Sequence, residues 1–124
     1  SSRRRHTRYR RSSRGLGDVY KRQAEILTVP AAFTARTGRA HWETLLRARA
    51  IETQCWVIAP AQVGRHDDEG LRHSHGHSMI VDAWGEVTCE VEGGAPGFAL
   101  AEIDLDRVGE VRRSMPLAEH RRLD

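Results

Sequence analysis

The sequence predicts an α/β protein in which a mixed sheet carries its helices on one face. Two observations lead to this class. A strand–helix–strand order opens the C-terminal hundred residues, and short apolar runs separated by turn residues follow it, as in antiparallel hairpins. A length of 124 residues suits one domain or part of one, and 39% hydrophobic with 30% charged residues is typical of a globular chain. No apolar run approaches the roughly 20 residues that cross a bilayer.

The charge divides the chain in two. Residues 1–23 are rich in Arg and Ser with a net charge of +8, whereas residues 24–124 carry −5. Such a basic block has too little apolar surface to fold, so we expect it to be disordered. It could be a nucleic-acid-binding arm or a transit peptide. We interpret it as non-native, because SSRRRHTR and GLGDVYKRQ are similar to translated adaptor strings, and assign the partial domain to residues 24–124.

The first native-like elements are a strand and a helix. The β-branched run Glu25–Pro30 predicts a buried strand that proline ends. A loop follows over Ala31–Gly38, in which Thr34 or Thr37 could cap the next helix. That helix is predicted over residues 39–54, with an apolar stripe formed by Trp42, Leu45 and Leu46, which Ala50 could extend.

The remaining elements alternate with turns. We expect a strand at Cys55–Ala59, a polar loop at Gln62–Leu71, and a short helix at Leu105–Arg113 with Val108 and Val111 on one side, followed by an extended tail. Between the loop and this helix we expect three antiparallel strands: His77–Val81, Glu86–Val91 and Phe98–Ile103. The strands are apolar on both faces, and burying both faces takes more layers than this chain has. We therefore expect the sheet to pack against a further layer that these residues do not supply.

Cys55 is a candidate nucleophile, with His77 or His41 as its base. A reactive thiol needs an electropositive and partly exposed setting, whereas Cys55 lies in an apolar strand after a helix. We therefore interpret it as a buried structural residue. Cys89 lies in a predicted edge hairpin and receives no role. Two cysteines make no disulfide framework, which favours a reducing, cytoplasmic compartment.

Three histidines alternate in the segment His73–Ser74–His75–Gly76–His77. In a strand their rings would share one face, and Asp67 and Asp68 could complete a metal site. Gly76 suits a bend better, so we favour a surface loop leading into a strand, with His77 hydrogen-bonded inside.

The charged residues of the long helix suggest ion pairs. Glu43 stands four residues before Arg47, the favourable order for a surface pair. Glu52 could pair with Arg49 or with a neighbouring chain. Glu43 and Glu52 lie on opposite faces, so they cannot share one substrate atom as acid and base.

Three segments carry a family resemblance. They read AEILTVPAAFTARTGRAHWETLLRARAIETQCWVIAPAQVGRH, RHSHGHSMIVDAWGEV and PGFALAEIDLDRVGEVRRSMPLAEHRR. In this order they resemble the C-terminal half of a carbon–nitrogen hydrolase of the nitrilase superfamily, and within it the Nit-like amidases that act on deaminated glutathione and related ω-amides.

The resemblance implies an αββα sandwich that dimerises, and C–N bond hydrolysis through a thioester without any cofactor or metal. A cysteine nucleophile, a glutamate base and an oxyanion-stabilising lysine carry the reaction. All three would lie before residue 24, and Lys21 is the last lysine of the chain. The isolated fragment is therefore expected to be inactive, with no catalytic residue of its own.

Other positions correspond to supporting parts of the family fold. Pro30, Ala31, Ala32 and Phe33 correspond to a loop beside the substrate pocket. Arg47, Arg49 and Glu52 correspond to a helix at the dimer interface. His75 is a departure, since relatives commonly carry tyrosine there.

Two non-catalytic functions remain open from the sequence. One is a small binding protein with a basic nucleic-acid-binding arm, and the other is a metal-binding module built on His73, His75 and His77. For the intact parent we expect a small amide substrate, a homodimer or higher oligomer, no membrane and no nucleic acid.

Overall fold

Eight helices and strands follow one another in the computed structural model, which describes residues 24–66, 72–117 and 119–120. In chain order these elements are β1 (Ile26–Thr28), α1 (Ala35–Thr53), β2 (Trp56–Ala59), β3 (Val63–Arg65), β4 (His73–His75), β5 (Met79–Val81), β6 (Val87–Glu90) and α2 (Leu105–Ser114). Neither helix is long and apolar enough to cross a membrane.

The main sheet has the strand order β1–β2–β5–β6. β1 is parallel to β2, whereas β5 is antiparallel to both β2 and β6, so the sheet is mixed as predicted. β3 and β4 form a separate antiparallel pair. The histidine segment is therefore a strand at His73–His75, not the surface loop we expected, because residues 63–65 give it a hydrogen-bonding partner.

Helix α1 covers one face of the main sheet. Trp42, Leu46 and Ala50 are buried there against Val57 and Val81. The predicted stripe is wrong only at Leu45, which is 55% exposed because it points sideways from the helix–sheet contact. Leu45 and Leu46 are equally apolar, so the sequence alone could not show which of the two is buried against the sheet.

The start of α1 differs from the prediction by four residues. The helix begins at Ala35, and Thr34 occupies the N-cap position without a side-chain hydrogen bond to the backbone. The predicted loop ended at Gly38 because glycine disfavours helices. In the structure Gly38 is a buried helical residue, and a Cβ at this position would overlap the side chain of His75. Close packing therefore overrides helix propensity here.

Helix α2 packs against the opposite face of the sheet. Val108 and Val111 lie with Trp56 and Ile80, whose side chains alternate with those that contact α1. The indole Nε1 of Trp56 donates to the carbonyl of Asp104 at 2.9 Å. The expectation that both helices share one face is thus wrong, although the class of fold is confirmed.

The rest of that opposite face lacks a full cover in the described chain. Ile26 of the edge strand β1 is 41% exposed, so this strand is not buried as predicted. The predicted strand at Phe98–Ile103 is also wrong: it is an irregular segment, with Phe98 and Leu100 both 86% exposed. Its apolar pattern is that of a strand, but no neighbouring strand in the described residues offers it hydrogen bonds.

The turn at Asp82–Gly85, between β5 and β6, is built around a buried carboxylate. Oδ1 of Asp82 accepts hydrogen bonds from the backbone N–H groups of Trp84 and Glu86, each at 2.9 Å. Gly85 has a φ of 92°, which glycine adopts without strain. Its carbonyl accepts a hydrogen bond from Nε of Arg47 at 2.8 Å, so the turn is tied to α1.

The adjacent leucines of α1 provide a matched test of this packing. Leu46→Ala should lower the free energy of unfolding by about 2–5 kcal/mol, because it empties a site that is 3% exposed. Leu45→Ala should change it by less than about 0.5 kcal/mol. Urea unfolding at a concentration where the chain is monomeric measures both values, and equal losses would contradict this placement of α1.

Candidate active-site wall

The carboxyl ends of β1 and β2 meet at one edge of the sheet, because the two strands are parallel. The segment Pro30–Phe33 follows β1 and is joined to the chain after β2. Ala31 N–H donates to the carbonyl of Pro60 at 3.0 Å, and Gln62 N–H donates to the carbonyl of Ala31 at 2.9 Å. Ligands of open α/β sheets bind outside such strand ends, so this edge is the candidate site.

Phe33 fixes the end of this segment. Its ring lies 5.4 Å from that of Trp42, centroid to centroid, at 47°. Its carbonyl accepts a hydrogen bond from the N–H of His75 at 2.8 Å. Ala32 is exposed between the anchors at Ala31 and Phe33, and Pro30 is exposed before them. The segment is therefore a fixed wall whose outer side is open to a ligand.

A cleft of about 400 Å³ lies next to this wall. It reaches from Gln62 and His66 to His77 and Ser78, and the turn at 91–97 closes its far side. Pro30–Phe33 do not line the cleft themselves. They lie next to it because Ala31 is hydrogen-bonded to Gln62, which does line it. Nε2 of His66 shares a 2.6 Å hydrogen bond with Oγ of the buried Ser74, which fixes the orientation of the imidazole.

Sequence reasoning missed His66, Gln62 and Ser78 as site residues. It placed the first two in a polar loop and Ser78 in a strand. The available signal was the strand–helix–strand order, because it favours a parallel pair of strands and the residues after such strands converge at one edge. The pairing partners became visible only in the structure.

The three histidines do not converge on one point. The rings of His75 and His77 stack, while His73 is exposed and Nδ1 of His77 pairs with Oε1 of Glu90 at 2.5 Å. Within residues 24–66, 72–117 and 119–120, no group of three His, Cys, Asp or Glu side chains is placed to hold a metal ion. Asp67 and Asp68, the other proposed ligands, lie outside the described residues.

Burial lowers the pKa of His75 below its ordinary value. Two nearby positive or ionisable groups, His77 and Arg39, lower it further, and the carboxylate of Glu90 acts in the opposite direction. His75 is therefore held toward its neutral form, in which one ring nitrogen donates and the other accepts.

Cys55 is fully buried behind the sheet. Its sulfur lies 3.1 Å from the carbonyl oxygen of Ala24 and 3.2 Å from that of Thr53, and its single S–H can donate to either one. Nη2 of Arg112 also donates to the Ala24 carbonyl, at 2.5 Å, and lies 3.4 Å from the sulfur. These contacts join β1, β2 and α2, and they do not bring a histidine or a carboxylate to the sulfur.

The predicted interface residues of α1 have local partners. Arg47 pairs with Glu43 at 3.7 Å, besides its bond to Gly85. Arg49 pairs with Glu52 at 3.9 Å, which is one of the two arrangements expected for Glu52. All four side chains remain about half exposed, so each pair contributes little to stability in water.

This chain belongs to the carbon–nitrogen hydrolase family, whose model matches residues 10–113. It is 57% identical over 101 residues to a human (Homo sapiens) protein named deaminated glutathione amidase, covering 82% of this chain and 30% of that protein. A protein of the same name from Synechocystis sp. is 55% identical over 98 residues, covering 79% and 35%. The chain therefore spans about a third of the length of these curated relatives.

Solved structures agree with the fold. The Caenorhabditis elegans NitFhit protein superposes with a TM-score of 0.72 at 47% identity, covering 84% of this chain and 25% of that one. Saccharomyces cerevisiae Nit3, described as a member of branch 10 of the nitrilase superfamily, gives 0.73 at 28% identity, covering 87% and 39%. The predicted family and class of fold are confirmed, and the two non-catalytic alternatives are not favoured. Residues 1–23 lie outside the described part of the chain.

Proposed function

We propose that this chain is the C-terminal part of an amidase that hydrolyses the C–N bond of a small ω-amide of the deaminated glutathione type. The observation that carries the proposal is the 57% identity over 101 residues to a relative of that name. The arrangement at the strand ends supports it, because a fixed wall at Pro30–Phe33 stands beside an open cleft.

In this proposal the chain supplies walls and the preceding part of the enzyme supplies the reacting groups. A cysteine thiolate attacks the amide carbon, and a lysine stabilises the oxyanion that forms, as the family resemblance implies. The C–N bond then breaks, ammonia leaves with a proton delivered by a glutamate, and water hydrolyses the thioester to the carboxylic acid and the free thiol. The role of Pro30–Phe33 is to hold the substrate against these groups. Phe33 can do so because Trp42 and His75 fix its ring and its carbonyl.

The intact protein is proposed to be a cytoplasmic homodimer that needs no cofactor. Cys55 and Cys89 are both free thiols, which suits a reducing compartment. For the interface, Leu45, Arg49 and Glu52 follow one another at helical spacing, so they form one outward stripe on α1. Leu45, at the N-terminal end of this stripe, is 55% exposed, which suits contact with a second copy.

A chimeric enzyme tests the proposed activity. Residues 24–117 would replace the aligned segment of the human relative, and hydrolysis of deaminated glutathione would be followed. We expect kcat/KM within about tenfold of the parent, because only supporting parts change. The purified 124-residue chain should give no turnover.

Two variants of the chimera separate the roles of its residues. Cys55→Ala should keep the activity, since this thiol is proposed to be structural, whereas Phe33→Ala should lower kcat/KM by up to about 100-fold by loosening the wall. An inactive but folded chimera would contradict the proposed function. Loss of several orders of magnitude in kcat on Cys55→Ala alone would contradict the assignment of the nucleophile to the preceding segment.

The interface is tested by a charge placed at Leu45, the apolar residue of the stripe. Leu45→Asp should weaken self-association of the 124-residue chain by at least about tenfold, because it buries an unpaired carboxylate. Arg36→Asp, an exposed site on the other side of α1, is the matched control and should leave it unchanged. Sedimentation velocity over a concentration series gives both results, and an unchanged dimer with Leu45→Asp would exclude this face.

A further inference from the structure

Two stacked imidazoles fill a narrow gap between helix α1 and the turn after β6. The ring centroids of His75 and His77 are 4.3 Å apart, and the rings are inclined by 24°. A Cβ on Gly38 would overlap the side chain of His75, and a Cβ on Gly93 would overlap that of His77. Neither glycine needs a positive φ, so both are required for space. The stack is thus clamped from both ends.

The stack is also joined to the candidate site by its backbone. The N–H of His75 donates to the carbonyl of Phe33 at 2.8 Å, and the carbonyl of His77 accepts from Nε1 of Trp42 at 2.8 Å. Gly76 between them has a φ of 73° and His77 one of 58°. A non-glycine residue in this region is held there by its surroundings, so loss of the stack would let the segment relax.

A proton on His75 would meet an unfavourable charge environment. The groups that face it are His77 in the stack, the guanidinium of Arg39 on α1 and the carboxylate of Glu90 on β6. Glu90 is already bonded to Nδ1 of His77, and its favourable effect on a proton at His75 is the smallest of these influences. A positive charge on the partly buried His75 would be opposed by its loss of hydration and by the guanidinium of Arg39.

We propose that the His75–His77 stack is a pH-sensitive latch, which holds the Phe33 wall and Trp42 in place while His75 is neutral and releases them when His75 takes up a proton. The latch itself rests on the geometry of the stack, whereas its effect on substrate binding rests on the proposed amidase function. A tyrosine at position 75 would also place an aromatic ring there, but its side chain would not change its charge near neutral pH.

The direction of the pH effect follows from the lowered pKa of His75. The unfolded chain binds this proton more readily than the folded chain does. The contribution of the stack to stability is therefore complete above the ordinary histidine pKa of about 6.5, and it is lost as the pH falls through the lowered value.

The test follows the indole N–H resonance of Trp42 in the 124-residue chain by nitrogen-15 NMR, between about pH 7.5 and pH 5. This N–H donates to His77, so it reports on release of the latch. We expect the resonance to move with pH in the native chain and in His73→Tyr, the matched control for an exposed histidine on the same strand. It should stay in place in His75→Tyr and in His75→Phe.

Two results would overturn the latch: a resonance that does not move in the native chain, or one that still moves in both ring variants. The melting temperature gives a second measurement, since its fall on acidification should be smaller in His75→Phe than in His73→Tyr. Neither readout uses catalysis, so an inactive chimera together with a working latch would reject the amidase and keep the latch.

Discussion

The main sheet has apolar side chains on both faces, and the described chain covers only one of them completely. Val57 and Val81 are fully buried under α1, whereas Ile58 and Ile80, which alternate with them, are only partly buried. Apolar area removed from water contributes about 25 cal/mol per Å². A sheet of this kind gains much of its stability only when a second layer covers the other face, and this requirement explains most of the remaining structure.

The uncovered face and the candidate site are parts of the same arrangement. A hollow of about 220 Å³ lies over Ile58, Ile80 and Cys89, and it shares Ser78 and Gly97 with the larger cleft at the strand ends. A second layer placed on this face would therefore also close one side of the cleft. In the proposed enzyme, the segment that covers the sheet and the segment that carries the reacting groups belong to the same preceding part of the chain.

Local pattern was enough to predict the elements that have a clear apolar period. The strands around Val57 and Ile80, the helix with Trp42 and Leu46, and α2 with Val108 were all predicted as the correct type of element, although α1 begins four residues earlier than expected. Phe98–Ile103 was not, because a strand needs a hydrogen-bonding neighbour and its own residues do not show whether one is present. The strand at His73–His75 was missed for the opposite reason. It has a partner strand at residues 63–65, but from the sequence we expected a polar loop at those residues.

From the sequence we proposed a wall for the candidate site and proposed no cleft. The family resemblance pointed to Pro30–Phe33, but periodicity carries no information on which turns meet across a sheet. His66 and Ser74 come together only because β3 and β4 pair. Gly38 shows the same limit within a helix, since a contact with His75, distant in sequence, decides its place there.

Thiol labelling of Cys89 tests the central claim, that a second layer covers the face bearing Ile80. Cys89 is paired with Ile80 and is partly exposed, whereas Cys55 is buried. A disulfide reagent should label Cys89 rapidly in the 124-residue chain and at least about tenfold more slowly in the chimera, with Cys55 protected in both. Equal rates at Cys89 in the two proteins would show that the rest of the domain does not lie on this face.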